Sequence, residues 1–579
     1  MSSAGFSVGA DMRRKLVLSI FTLFACVLGW RAMDLQLTNR EFLQDHGDAR
    51  YLRTVATAAH RGMITDRNGE PLAISTPVNS VWGQPRVMAQ YRDEWLQLAD
   101  VIGTTTEHLE TLVLPRLGRE FVYLKRHATP EMSAAVAASG FNGVGLIEEQ
   151  RRYYPAAEVT AHTLGFTNVD DEGQEGIELA FDETLRGKPG SRKVIKDRLG
   201  RVIEHVEQIK PTQPGRNLAL SIDKRIQYIA YRELKAAVLA HKAEAGSMVV
   251  LNPNTGEVLA LVNQPSFNPN NRGQLKGDHY RNRAVTDVFE PGSTIKPFTI
   301  AAALESGQYR PDTPIDTTPG TFKVGRHTVT DVRNFGPLDV AGVIAKSSNV
   351  GASKIALSLE PEFMWHTFNG VGFGTSSGIG LPGEANGYLS DPRNWRDIER
   401  ATLAFGYGLS VNVMQLARAY TVLAADGLLR PLSITKVETV PPGHRVMHAA
   451  TAQAIRTMLL RVTTEGTGRE AAVAGYPVAG KTGTVHKSTT RGYAENRYLS
   501  LFAGILPAEA PELVAVVVID EPQSGEHFGG RVAAPIFARV MANAARVLGL
   551  TPTESGDLDA QHYRMANRGG VVPTVGAPR

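Results

Sequence analysis

The chain has one cysteine, Cys26, among 579 residues. A single sulfur cannot close an internal disulfide, build a Cys-rich zinc site or form a CxxC redox pair. An excess of one charge is also missing: 62 basic and 58 acidic side chains leave a formal charge of +4. With no dense basic stripe, that balance excludes a nucleic-acid binder on composition. No HExxH or similar ligand spacing occurs, so neither a metal nor an organic cofactor is called for. No internal repeat is evident. What is present is ordinary globular composition, 42% hydrophobic and 21% charged, over a length that calls for two or more domains.

One charge-free run stands out. Leu16 to Trp30 follows Arg13, Arg14 and Lys15. As a helix it rises roughly 22 Å, short of the ~30 Å hydrocarbon core. Snorkelling of Arg14, Lys15 and Arg31 extends the usable span through Met33. The expectation is an uncleaved anchor over 16–36, with residues 1–15 cytoplasmic and the remaining ~540 residues outside. A cleaved signal peptide would use the same run, but Trp30 and Arg31 stand where small residues should be. A lipidation signal at Leu23-Phe24-Ala25-Cys26 is disfavoured by the bulky Phe24 and by the apolar run continuing to Trp30.

Residues 37–216 mix short strand-like runs with charged helical stretches and hold no catalytic-looking cluster. They read as a spacer or partner-binding module. Within them, Arg61 to Gly69 is expected to be a strand entering an Asn-Gly turn, with Pro71-Leu72-Ala73-Ile74 returning. A second unit spans 217–550. Asp223 is expected to cap an amphipathic helix running to about His241. Ser247–Leu251 and Glu257–Val262 flank Pro253-Asn254-Thr255-Gly256 as a hairpin, and three more strands are expected at 478–485, 498–505 and 513–520. Strands from both ends with helices between them indicate an α+β fold, an antiparallel sheet with a helical insert. The tail, 551–579, is rich in Gly, Pro and polar residues and is expected to be disordered.

Ser-x-x-Lys occurs three times, beginning at Ser221, Ser293 and Ser433. The first ends a strand and caps a helix, and the last alternates as in a strand, so both read as structural. Ser293 differs. Pro297 lacks an N–H and fits the helix that follows only in its first turn, which puts Ser293 at or just before the helix start. There its hydroxyl and N–H lie near the positive end of the dipole, and Lys296 falls on the same face. A neutral Lys296 could take the Ser293 proton, but an ordinary lysine has pKa ~10.4, a cost of roughly 4.6 kcal/mol at pH 7. Desolvation and a neighbouring cation must lower it. Lys481, in the chain's single Lys-Thr-Gly, is the candidate cation. It would also attract a terminal carboxylate, with Thr482 and Thr484 as donors and Gly483 letting a peptide lie against the strand. Ser-x-Asn begins at Ser266, Ser347 and Ser410. Ser347-Ser348-Asn349 is a polar break between two helical stretches, with Ser410 its serious competitor.

In order, Ser293…Lys296, Ser347…Asn349 and Lys481-Thr482-Gly483 resemble the three signatures of penicillin-interacting serine enzymes. Glu290 to Pro297, Arg61-Gly62-x-Ile64-x-Asp66-Arg67-Asn68-Gly69 and Glu175-Gly176-Ile177-Glu178 are similar to class B penicillin-binding proteins, and the length and single anchor to their division-specific branch. Asn252 departs from the Asp-Pro usual there. The resemblance implies a β-lactamase-like transpeptidase domain behind an elongated pedestal, and a peptidoglycan D,D-transpeptidase acting on stem peptides that end in D-Ala-D-Ala. It implies Ser293 as nucleophile, Lys296 as base, Ser347 as proton relay and Asn349 as orienter. The N–H groups of Ser293 and Thr484 would form the oxyanion hole. β-Lactams would acylate the same serine. A membrane glycosyltransferase and other septal proteins are the implied partners. His486 and His527 are expected in the substrate groove or at the surface. A serine β-lactamase or D,D-carboxypeptidase shares the signatures, and a penicillin sensor or inactive scaffold is the non-enzymatic alternative.

Overall fold

The computed structural model describes residues 7–38, 52–57, 59–196, 202–274, 277–489 and 492–552. The tail expected to be disordered lies, beyond residue 552, outside the described residues. Helix α1 (Ser7–Met33) is the one helix among the described residues long and apolar enough to cross a membrane. Its qualifying span, Met12–Gln36, has 25 residues and a mean hydropathy of 1.9. At ~1.5 Å per residue that is about 37 Å, enough for a ~30 Å core when the charged flanks at Arg13, Arg14, Lys15 and Arg31 are counted.

The chain divides into two compact units, both discontinuous. The first comprises 1–60, 77–151 and 187–215. In it Leu52–Thr57, Gly190–Lys196 and Val202–Lys210 form an antiparallel three-stranded sheet. Separately, Val122–Lys125 pairs with Val81–Gly83, and helices pack there around Leu98, Ile102, Leu109, Val113 and Val136.

The second unit takes in 61–76, 152–186 and 216–579. The segments 61–76 and 152–186 thus lie across the 216/217 division expected from sequence. The reason is burial: Ile64, Leu72, Tyr154, Leu164, Ile177 and Leu185 belong to the large core of this unit. A charged cluster accompanies them. Glu178, fully buried, pairs with Arg61 at 2.7 Å and Arg152 at 2.6 Å, and Arg61 also reaches Asp182 at 2.8 Å.

The sheet of this unit uses β1 (Ala245–Leu251), β2 (Val258–Gln264), β3 (Ala479–Thr489), β4 (Gly492–Leu506) and β5 (Leu513–Asp520). The spatial order is β2-β1-β5-β4-β3, antiparallel throughout, so β3 is an edge. Every residue of β1 and β2 is buried, which is why residues 248–251 and 258–262 read as continuous apolar runs. Side chains alternate between the faces. Met248 and Val250 meet α2 (Lys224–Ala240) and the C-terminal helix Ala534–Val547, whereas Val249 and Leu251 join the helical insert. The cap on α2 is as expected, Asp223 accepting from the Arg225 N–H at 3.0 Å. The insert contributes α3 (Lys296–Glu305), α4 (Val340–Lys346), α5 (Asn349–Ser358) and α6 (Val413–Ala424).

Candidate active site

Gly292–Ile295 forms a 3-10 turn that runs into α3, with Pro297 in the first helical turn as its missing N–H requires. Ile295, not Ser293, is the residue at the helix cap, so Ser293 stands one tight turn ahead of it. The turn is pressed from two sides, by the Val485 side chain and by the backbone at Gly406. A Cβ on Gly292 would lie 2.4 Å from Val485 Cγ2 of β3, and one on Gly406 would lie 2.1 Å from the Gly292 carbonyl oxygen. Tyr420 of α6, fully buried, donates to the Thr294 carbonyl at 2.9 Å.

The polar break falls between α4 and α5. Ser347 ends α4 with φ +61°, and Ser348 caps α5, accepting from the Gly351 N–H at 2.9 Å. Lys296 Nζ lies 2.6 Å from the Ser347 carbonyl oxygen, 2.7 Å from Asn349 Oδ1, 3.1 Å from Ser293 Oγ and 3.2 Å from Ser347 Oγ. Lys481 Nζ lies 3.0 Å from the same Ser347 Oγ and 3.2 Å from the Thr482 carbonyl. Both lysines are fully buried, and among the described residues neither makes an ion pair.

Burial sets their protonation. It pushes Lys296 well below the ordinary lysine range; the charge of Lys481 adds to this, while Asp331 opposes it. Burial alone brings Lys481 down to about 7. The cation expected beside Lys296 is therefore there, though loss of water outweighs it. A neutral Lys296 has two N–H donors and one lone pair. The two short contacts, to the Ser347 carbonyl and Asn349 Oδ1, take the donors, and the lone pair is left for the Ser293 hydroxyl.

Along β3 the side chains alternate, and the motif splits accordingly. A Cβ on Gly483 would lie 3.1 Å from Thr294 Cγ2 and 3.2 Å from the Pro291 carbonyl oxygen. The glycine thus admits the nucleophile turn, a tighter demand than the peptide clearance read from sequence. Thr482 and Thr484 point the other way: the Thr482 hydroxyl lies 2.7 Å from that of Thr467, and Thr484 Oγ1 accepts from the Gly529 N–H at 3.0 Å. Thr484 keeps its own O–H for a ligand.

The competing matches are built into the frame. Ser221 donates to the Val258 and Ser433 carbonyls, Ser433 to Thr435, and Ser266 to Glu158. Ser410 pairs through its backbone with Tyr388. His486 and His527 flank Tyr498, whose ring stacks on His527 at 4.0 Å. A cavity of about 300 Å³, bordered by Ser247, Arg283, Glu290, His486, Lys487 and Asp520, adjoins this region without touching Ser293 or the two lysines.

Sequence reasoning missed Asp331. Only 7% exposed, it accepts from Ser348 Oγ at 2.6 Å and from the N–H groups of Asn349 and Val350 at 2.5 and 3.0 Å. It fixes the break that supplies Ser347 and Asn349. Nothing in Thr330-Asp331-Val332 marks it locally, because its partners are 17 to 19 residues away. Among the described residues no group of three or more His, Cys, Asp or Glu could hold a metal.

Residues 246–542 match the model of the penicillin binding protein transpeptidase domain, and 56–220 that of the penicillin-binding protein dimerisation domain. The chain is 42% identical over 539 residues to the peptidoglycan D,D-transpeptidase FtsI of Escherichia coli K12, covering 92% of this chain and 91% of that protein. It is 40% identical over 544 residues to the probable peptidoglycan D,D-transpeptidase PenA of Neisseria gonorrhoeae, covering 93% of each. Among solved structures it is similar to the apo transpeptidase domain of Burkholderia pseudomallei penicillin-binding protein 3 (TM-score 0.54, 46% identity, 58% of this chain and 98% of that one). A peptidoglycan synthetase from Bifidobacterium adolescentis matches more of its length, with TM-score 0.69, 25% identity, and 88% and 99% coverage.

Proposed function

We infer the chemistry of this site from the family to which the chain belongs, the class B penicillin-binding proteins: it is a peptidoglycan D,D-transpeptidase, and it binds β-lactams. One observation carries the assignment of roles. A desolvated amine, Lys296, has its donors occupied and lies 3.1 Å from a serine hydroxyl.

Ser293 Oγ attacks the penultimate D-alanine carbonyl of a stem peptide and gives its proton to Lys296. The N–H groups of Ser293 and Thr484 stabilise the oxyanion. The amide C–N bond breaks, terminal D-alanine leaves with a proton relayed through Ser347, and an ester on Ser293 remains. Asn349 holds Lys296 in place. Lys481 meets the terminal carboxylate, helped by Thr482, Gly483 and Thr484. The amine of a second stem peptide then takes the acyl group and makes the cross-link. With a penicillin the ring amide opens on the same serine, and the tethered amine cannot leave.

The wider setting follows the sequence division. The anchor over 16–36 would leave the N-terminus in the cytoplasm, place 217–550 outside as the catalytic part, and make 37–216 the pedestal that meets a membrane glycosyltransferase and other septal proteins. No feature of the site favours the sensor or scaffold reading.

The test is persistence. Fluorescent penicillin should label the full-length membrane protein for hours, with cross-linked dimer formed from stem-peptide substrates. Fast decay of the label with release of hydrolysed drug would make it a β-lactamase instead. A second expected outcome concerns pH. Lys481 is charged below about 7 and neutral above, so its pull on a carboxylate weakens as pH rises. The second-order rate of acylation by a carboxylate-bearing penicillin should therefore decline above about pH 7. Stopped-flow rates from pH 6 to 9 that stay level or climb would remove Lys481 from that role.

A further inference from the structure

Thr321–Val324 and His327–Thr330 form a two-stranded hairpin rooted in the catalytic break. The Thr330 carbonyl accepts from Asn349 Nδ2 at 3.2 Å, and the next residue is Asp331. Gly320 fixes the base, where a Cβ would lie 3.0 Å from Asn334 Cα. The exposed charged side chains carry one sign. Lys323, Arg326, His327 and Arg333 are exposed, and among the described residues none of the three cations makes an ion pair. Arg326 lies 3.4 Å from the His327 ring, and Arg333 sits over Phe335. The single acid between 321 and 335 is Asp331, spent inward on Ser348, Asn349 and Val350.

Resting on the transpeptidase reading, we propose that this hairpin docks the acyl acceptor, a peptide bearing a free amine and two or more carboxylates. In the second half-reaction the acceptor nitrogen bonds to the ester carbonyl carbon and the C–O bond to Ser293 breaks. The proton lost by nitrogen goes to Lys296 and then to Ser293 Oγ. The amine must therefore come within hydrogen-bond reach of Lys296 or Ser347, on the side where α4 and α5 meet. The hairpin borders that side. Arg333 is two residues beyond Asp331, at most ~7 Å of chain, which keeps it within reach of a peptide whose amine is at Lys296. The donor's terminal carboxylate belongs at Lys481, on the other side of Ser347. Each exposed cation contributes little alone, but three of one sign steer an anion together.

The experiment compares the full-length protein with the triple variant Lys323→Gln, Arg326→Gln, Arg333→Gln. A thioester donor loads Ser293, and the acyl group then partitions between water and either a dicarboxylate tripeptide acceptor or the same tripeptide with both carboxylates amidated. Transfer to the dicarboxylate should fall about tenfold in the variant, and in the wild type it should weaken with added salt. Transfer to the amidated acceptor should be the same in both proteins. Undiminished transfer to the dicarboxylate, or an equal loss with the amidated acceptor, overturns the proposal. Penicillin labelling run in parallel separates the two readings: a wild type that fails to label defeats the transpeptidase assignment itself. If the triple variant alone fails to label, it is misfolded, and single Lys323→Gln and Arg326→Gln variants carry the comparison, each expected to lose about twofold with the dicarboxylate alone.

Discussion

Fluorescent penicillin should label Lys296→Met about 10³-fold more slowly than the wild type, and Ser293→Ala not at all. Methionine is close to lysine in length and apolar, so the fully buried position tolerates its volume while losing the base. The Ser347 carbonyl and Asn349 Oδ1 each lose a donor, at about 1–3 kcal/mol apiece in stability. That loss does not unfold the unit, because Asp331 still holds the break. Arginine should be no better than methionine: its guanidinium keeps its proton at any working pH. Rates of label incorporation, with a thermal melt to show that each variant is folded, decide the matter. A Lys296→Met protein that labels within tenfold of wild type would dismiss Lys296 as the base.

Glu178→Gln should cost about 3–5 kcal/mol of stability, with no residue of the active site touched. Glu178 is the carboxylate shared by two guanidiniums: Arg61 donates from Nε at 2.8 Å, and Arg152 donates from Nε at 2.6 Å. Arg61 keeps Asp182 and the Asp171 and Glu178 backbone carbonyls, and Arg152 keeps Ser75. Asp171 does not substitute by contact: among the described residues its carboxyl makes no ion pair with either guanidinium, and its buried Oδ1 has no hydrogen-bond partner. Two desolvated cations are then left with one charged partner in hydrogen-bond contact. The midpoint of urea unfolding, read by loss of penicillin labelling, measures the cost. A shift worth less than about 1 kcal/mol would mean that water reaches these groups and screens them.

Much of this was legible in the chain because it is local. Asp223 caps α2 through a contact two residues away, and Pro297 fixes the start of α3 by its missing N–H. Residues 248–251, 258–262 and 513–519 announced themselves as apolar runs because both of their faces are covered. The three signatures could be ordered along the chain, and the lowered pKa of Lys296 could be demanded from the energy of its chemistry. What escaped is non-local. Tyr420 reaches Thr294 from a helix more than a hundred residues later, and Asp331 serves an α-helix start it does not belong to. The charged cluster around Glu178 escaped for the same reason. Arg61 and Glu178 are 117 positions apart, and no period or composition shift relates them.

Position 347 shows where selection for robustness has no room. A serine held at φ +61° is less comfortable there than glycine, by about 1 kcal/mol. Yet its hydroxyl oxygen lies within 3.2 Å of both amines. A variant that relaxed this backbone would gain a sturdier fold and strand the proton between two lysines. Sturdier versions of this enzyme must draw their gains from other parts of the chain.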